Sequence, residues 1–216
     1  MAKRSDEIEA VIFDWDGTLI DSNKAIYKTY SECLKRLKLP KLSLSKFKIL
    51  YESDYRKFEV KVGITPDKRK ISDRIWLEFY DKQKLNLFPG IKKILMKIKN
   101  YYLLGLVTGG SLKRIKEDLR RHELDNIFDV VITGDDCSKK KPDPEPLINC
   151  IKKLGIEPKN CIYVGDMDGD IIAAKKAGMV SVAVSWGCLN GSELKKINPD
   201  CVVKSLDELE EIITKK

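Results

Sequence analysis

Ala10-Val11-Ile12-Phe13 runs directly into Asp14-Trp15-Asp16-Gly17-Thr18-Leu19, and this stretch decides how the rest of the chain reads. Its first four residues are apolar and β-branched, the pattern of a short buried strand, and the next six form a polar turn. An aspartate at the end of a buried strand costs free energy unless it is paired or metal-bound. Two carboxylates at i and i+2 can leave an extended strand end in the same direction. Gly17 permits a sharp turn, and Thr18 can pin it.

Downstream the strand pattern recurs. Leu103-Leu104-Gly105-Leu106-Val107, Val130-Val131-Ile132, Cys161-Ile162-Tyr163-Val164, Val180 to Val184 and Cys201-Val202-Val203 are further short apolar runs. Between them lie segments with helical character: Ile91 to Asn100, Ser111 (as cap) to Arg121, Pro146 to Leu154, Ile171 to Ala177 with Gly178 as C-cap, and Leu206 to Ile213. Strands alternating with helices predict a parallel sheet covered on both faces, a Rossmann-like three-layer α/β core. Ligands of such sheets sit at the carboxyl ends of the strands. Residues 21–86 break the alternation. They are Lys-rich, show helical spacing at Ile26, Tyr30, Cys33, Leu34 and Leu37 and again at Ile75, Trp76, Phe79 and Tyr80, and contain no clear strand. The expected organisation is a core from residues 1–20 and 87–216 with a small helical domain, 21–86, inserted after the first strand.

Polar clusters follow the predicted strands. A carboxylate such as Asp14 can take a phosphoryl group as an acyl phosphate, and a neighbour such as Asp16 can protonate the leaving oxygen and later activate water. Gly165-Asp166-Met167-Asp168-Gly169-Asp170 places three carboxylates in five residues, which repel unless a cation sits among them. Oxygen-only ligands suit Mg²⁺. The start also resembles a calcium loop, but position twelve is Ala177 where that loop needs a bidentate Glu. Thr108-Gly109-Gly110 offers a hydroxyl and backbone N–H groups at a strand-to-helix turn, a cradle for an anion. Lys139-Lys140-Lys141-Pro142 supplies cations before a proline-rich loop, and one of them could neutralise phosphate and nucleophile.

Composition narrows the classes. Of 216 residues, 43% are hydrophobic and 34% charged, which excludes a disordered chain. No apolar run approaches the ~20 residues of a membrane span, and Met1 to Glu7 lack the apolar core of a secretory signal. A cytoplasmic protein is expected. Six cysteines without a C-x-x-C pair, and one histidine, His122, argue against structural zinc and for reduced thiols. The formal net charge of +8 is uneven: residues 22–88 hold 17 Lys and Arg against 8 Asp and Glu, a surplus of +9, so the remainder is at −1. Such a surface is solvated, or attracts phosphorylated substrates. No nucleic-acid-binding motif accompanies it.

In this order, the four clusters resemble the haloacid dehalogenase superfamily of phosphohydrolases, and the resemblance runs from Val11 to Ile213. It implies that Asp14 is the nucleophile and a metal ligand. Asp16 becomes the general acid/base, its backbone carbonyl on the metal. Thr108, with Gly109, becomes phosphate-binding, Lys141 becomes the lysine of the third motif, and Asp166 and Asp170 become the acids of the last motif. Asp168 lies at a variable position. The 21–86 insert looks like the helical cap that closes over such sites. The implied cofactor is Mg²⁺ and the implied partner a small phosphorylated metabolite, with no membrane or nucleic-acid partner and a monomer or homodimer as the assembly. Trp186-Gly187 and Asp200-Cys201-Val202-Val203 make the chain most similar to the phosphoglycolate phosphatase group. Two departures stand out, Gly109 where relatives carry Asn or Ser, and Cys188 where an aromatic is common. Asp16 argues against a dehalogenase and against a phosphonate hydrolase, since both lack that aspartate. A phosphomutase or phosphotransferase on the same fold, and a phosphatase acting on nucleotide or nucleic-acid phosphate, remain alternatives.

Overall fold

The computed structural model describes residues 8–187, 194 and 196–215. Six parallel strands form one sheet in the order β3-β2-β1-β4-β5-β6: β1 (Ala10–Phe13), β2 (Leu103–Val107), β3 (Val130–Ile132), β4 (Cys161–Gly165), β5 (Val180–Val184) and β6 (Cys201–Val203). β1 is central, pairing with β2 through Ala10–Leu103 to Phe13–Leu106 and with β4 through Ala10–Cys161 to Phe13–Val164. The order reverses beside β1, so the crevice of a doubly wound sheet opens at its carboxyl end. The sequence expectation for strands and their parallel arrangement holds.

Strand alternation sorts β1 onto two faces. Val11 and Phe13 pack with helices α5 (Ile91–Ile98), α6 (Leu112–Arg121) and α9 (Leu206–Lys215), whereas Ala10 and Ile12 face α7 (Glu145–Leu154) and α8 (Asp168–Ala177). All four β1 side chains are fully buried. Helix α7 comes close to the sheet because Gly105 has no side chain: a Cβ there would lie 2.8 Å from Cys150 Sγ and 3.0 Å from Ile12 Cγ1.

Residues between β1 and β2 form α1 (Asn23–Arg36), α2 (Leu44–Leu50), α3 (Tyr55–Lys61), a 3₁₀ turn (Pro66–Lys68) and α4 (Arg69–Phe79). They carry their own core, in which Tyr30 lies 4.7 Å from Phe58 and 5.0 Å from Trp76, ring centroid to centroid. The two chain crossings into this insert run side by side, Asp21 N–H donating to Asn86 O at 2.9 Å and Phe88 N–H to Leu19 O at 3.0 Å. No helix among the described residues is long and apolar enough to cross a membrane.

Helix boundaries differ from expectation in places: the last helix runs to Lys215 rather than Ile213, and α7 starts at Glu145, one residue before Pro146. α8 begins at Asp168, not Ile171, because Asp170 Oδ2 accepts the N–H groups of Asp166 and Met167 at 3.2 and 3.0 Å and so closes its first turn. α5 ends at Ile98 rather than Asn100. Residues 1–7 and Cys188 lie outside the described residues.

Gly105→Ala is expected to lower stability by about 1–3 kcal/mol through overpacking. Adding Cys150→Ala should recover part of that loss, and thermal melts of the single and double variants measure both.

Candidate active site

The carboxyl ends of β1, β2 and β4 converge. β1 delivers Asp14, whose N–H continues the ladder to Val164 O at 2.9 Å. β4 delivers Asp166, and the first turn of α8 delivers Asp170. Carboxylate oxygens of these three lie within 4.8 Å of one another. All three residues are buried, at 6%, 1% and 2% exposure. Lys141, from the loop before α7, enters the group: its Nζ donates to Asp14 Oδ1 at 2.7 Å, to Asp170 Oδ1 at 2.6 Å and to the Tyr163 hydroxyl at 2.9 Å.

The approach is close enough to demand glycine at two places. A Cβ on Gly17, whose φ is +84°, would fall 2.3 Å from Asp166 Oδ2, and one on Gly187 would fall 2.2 Å from Asp166 Cβ. Thr18 donates its hydroxyl to Asp166 Oδ1 at 3.3 Å. From β2, Thr108 is buried and its Oγ1 accepts the Gly110 N–H at 3.1 Å. Gly109 is exposed, with nothing within 4 Å of where a Cβ would stand. Gly134 N–H holds this turn by donating to Gly110 O at 2.9 Å.

The electrostatics are unbalanced. Burial, opposed by Lys141 and reinforced by Asp170 and Asp16, raises the Asp14 carboxyl to about 7. Burial lowers the Lys141 ammonium, but Asp14 and Asp170 outweigh this and hold it well above its ordinary value. Three clustered buried carboxylates against one ammonium are under-compensated, and an all-oxygen donor set of this kind can hold a divalent cation.

The structure thus brings together Asp14, Lys141, Asp166 and Asp170 from the residues expected in sequence. It does not bring the Asp16 carboxylate into that group. Asp14 and Asp16 do not point at a common partner; Asp16 instead accepts from Tyr80 and Arg114. Asp168 is also outside, its Oδ1 accepting the Ser53 N–H of the insert at 3.2 Å. Lys139 pairs with Asp143, and Lys140 sits over the Tyr55 ring, 5.1 Å from its centroid. Arg56 is tied within the insert to Glu59 at 2.8 Å and Asp73 at 3.0 Å.

Arg114, Tyr80 and Tyr163 were not singled out in sequence. A signal for Arg114 existed: Arg114 and Asp118 are four apart and flank Ile115 and Leu119 on the buried side of α6. Tyr163 gave none, because a tyrosine in an apolar strand reads as core.

The profile of haloacid dehalogenase-like hydrolases matches residues 11–184. A pyrophosphatase PpaX from Bacillus mycoides is 28% identical, the alignment covering 97% of this chain and 98% of that one. Among solved structures, a haloacid dehalogenase-like family hydrolase from Streptococcus pneumoniae superposes with a TM-score of 0.83 at 21% identity, covering 95% of this chain and 98% of that one. A predicted phosphoglycolate phosphatase from Haemophilus somnus gives 0.81 at 24%, covering 95% and 97%. Both structural likenesses carry the fold. The chain belongs to the haloacid dehalogenase-like hydrolase family. It is an enzyme, a hydrolase.

A pH consequence follows from Asp14. Its folded value is raised, so its stabilising contribution is complete below its ordinary 3.8 and is lost as pH rises through about 7. In metal-free protein, Asp14→Asn should therefore gain stability relative to wild type between pH 4 and 7. Melts in chelator across that range check the sign.

Proposed function

We propose that the protein is a Mg²⁺-dependent phosphatase that hydrolyses a small phosphate monoester, phosphoglycolate-like in size and charge, through an aspartyl-phosphate on Asp14. The observation that carries this reading is the Lys141 ammonium, 2.7 Å from Asp14 and 2.6 Å from Asp170 at the mouth of the β1–β4 crevice. It is a fixed positive charge beside a buried carboxylate, where a phosphoryl group would be held.

Asp14 attacks phosphorus and the ester P–O bond breaks, its electron pair going to the leaving oxygen, which takes a proton from Asp16. Water then attacks the same phosphorus, losing a proton to Asp16, and the acyl phosphate P–O bond breaks. Inorganic phosphate leaves and the Asp14 carboxylate returns. Lys141, the Thr108 hydroxyl and the Gly109 N–H hold the phosphoryl oxygens and the charge that develops on them. Asp14, Asp166, Asp170 and the Asp16 carbonyl would hold Mg²⁺, which when bound would supply positive charge at the phosphoryl group.

Residues 21–86 act in this reading as a cap. Their contacts with the core include Ser53 to Asp168, Lys140 to the Tyr55 hydroxyl at 3.4 Å and Tyr80 to Asp16, and a helical unit over the crevice suits closure and release. Free Cys33, Cys137, Cys150, Cys161 and Cys201 suit a reducing cytoplasm.

Pyrophosphate is a second reading, favoured by the similarity to a pyrophosphatase over 97% of the chain. The chemistry is the same with phosphate as the leaving group. A phosphomutase would pass the phosphoryl group to a second sugar phosphate rather than to water.

The test is phosphate release from a panel of monoesters and pyrophosphate, with and without Mg²⁺, for wild type and Asp14→Asn. Expected is metal-dependent release that falls at least about a thousandfold in the variant. An Asp14→Asn enzyme retaining near wild-type turnover overturns the assignment, and transfer without net phosphate release would favour the mutase.

A further inference from the structure

Asp16 lies two residues from Asp14 but belongs to a different network. The Arg114 guanidinium meets it with two nitrogens, Nη1 donating to Oδ1 at 3.1 Å and Nη2 to Oδ2. The Tyr80 hydroxyl donates to Oδ1 at 2.5 Å. Among the described residues, these are the side-chain donors to that carboxylate. Arg114 is 5% exposed and Tyr80 2%.

The guanidinium is itself fixed from several sides. Asp118 lies 3.5 Å from Nη1, and Asp118 is in turn held by Arg121 at 2.7 Å and by Trp15 Nε1 at 3.3 Å. Asp81 lies 3.8 Å from Nε and accepts the Ser111 hydroxyl at 3.4 Å. The Tyr80 ring packs against the guanidinium, 5.1 Å from centroid to carbon. A planar fork that meets both oxygens of a carboxylate fixes its distance and its rotation, which a single ammonium does not.

We propose that Arg114 is the positioning residue for Asp16, and that Tyr80 completes the same clamp from the inserted helices. The inference rests on the reading of Asp16 as the group that serves the leaving oxygen. Its content is that proton delivery depends on a side chain of α6 and on a tyrosine at the end of α4. The acid/base geometry is then complete only while the end of the insert is seated on the core. A misplacement of about 1 Å at a proton-transferring group costs on the order of a hundredfold in rate.

A purely structural role for Arg114 predicts a uniform loss of activity. A positioning role predicts a loss that depends on the leaving group, because a nitrophenolate departs without protonation and an alkoxide does not. The experiment compares kcat and KM for p-nitrophenyl phosphate and an alkyl phosphate, with Mg²⁺, in wild type, Arg114→Gln, Arg114→Lys, Tyr80→Phe and Asp16→Ala. Expected for Arg114→Gln is a fall in kcat of about thirty- to a hundredfold on the alkyl ester and less than about fivefold on the aryl ester, with KM little changed. Arg114→Lys should recover part of the alkyl rate. Tyr80→Phe keeps the ring on the guanidinium and removes one hydroxyl, so it should fold and show a smaller loss of the same kind. If Arg114→Gln does not fold, Arg114→Lys and Tyr80→Phe decide the question. Equal losses on both esters, or none on either, overturn the clamp. If Asp16→Ala shows the split and the clamp variants do not, the clamp alone fails. If Asp16→Ala itself shows no split, the acid role of Asp16 fails and the clamp with it.

Discussion

The Lys141 ammonium between Asp14 and Asp170 is the contact on which the site depends. Each carboxylate sits at the carboxyl edge of a sheet whose strands are largely apolar, where an unpaired charge is expensive. The amine joins the β1 loop to the first turn of α8, and a third donor contact, to Tyr163, fixes it against β4. Asp170 has a second duty, since its other oxygen closes the first turn of α8. Loss of the lysine would leave buried carboxylates facing one another, so it stabilises the site itself.

The insert follows a different economy. Its excess of positive charge lies on its surface, and its core is aromatic, with one buried carboxylate, Glu59, accepting the Ser72 hydroxyl at 3.0 Å beside Arg56. Exposed ion pairs such as Arg36–Glu78 contribute little to stability. Its contacts with the core include hydrogen bonds, cations over the Tyr55 and Tyr80 ring faces, and the side chain of Leu85.

Strand positions were legible because a fully buried parallel strand leaves an unbroken β-branched or apolar run, as at Val11-Ile12-Phe13 and Val182-Ala183-Val184. The acids and the glycines were legible as clusters after those runs. Lys141 was separable from Lys139 and Lys140 only through the family resemblance; nothing in three adjacent lysines says which one turns inward. The start of α8 was missed because Asp168 and Asp170 look like loop residues until Asp170 is seen capping its own helix. Arg114 was missed for a related reason. On a helix carrying Lys113, Lys116, Arg120 and Arg121, one more cation reads as surface, and only its register with Ile115 and Leu119 marks it as buried. Tyr80 fitted a helical repeat, which explains its burial but not its hydroxyl.

The two aspartates of the first motif show how environment divides labour between identical side chains. Asp14 is paired with an ammonium, a compact charge on a flexible stem. Asp16 is paired with a guanidinium, whose fork fixes direction. The two residues remain close enough that Asp16 raises the Asp14 carboxyl, so a single cation serving both would leave each half-neutralised. Separate counter-ions resolve this. They also place the two groups under different control, Asp14 under the loop before α7 and Asp16 under α6 and the end of the insert. The end of the insert therefore touches the second carboxylate through Tyr80, while the first is held by Lys141 from the core.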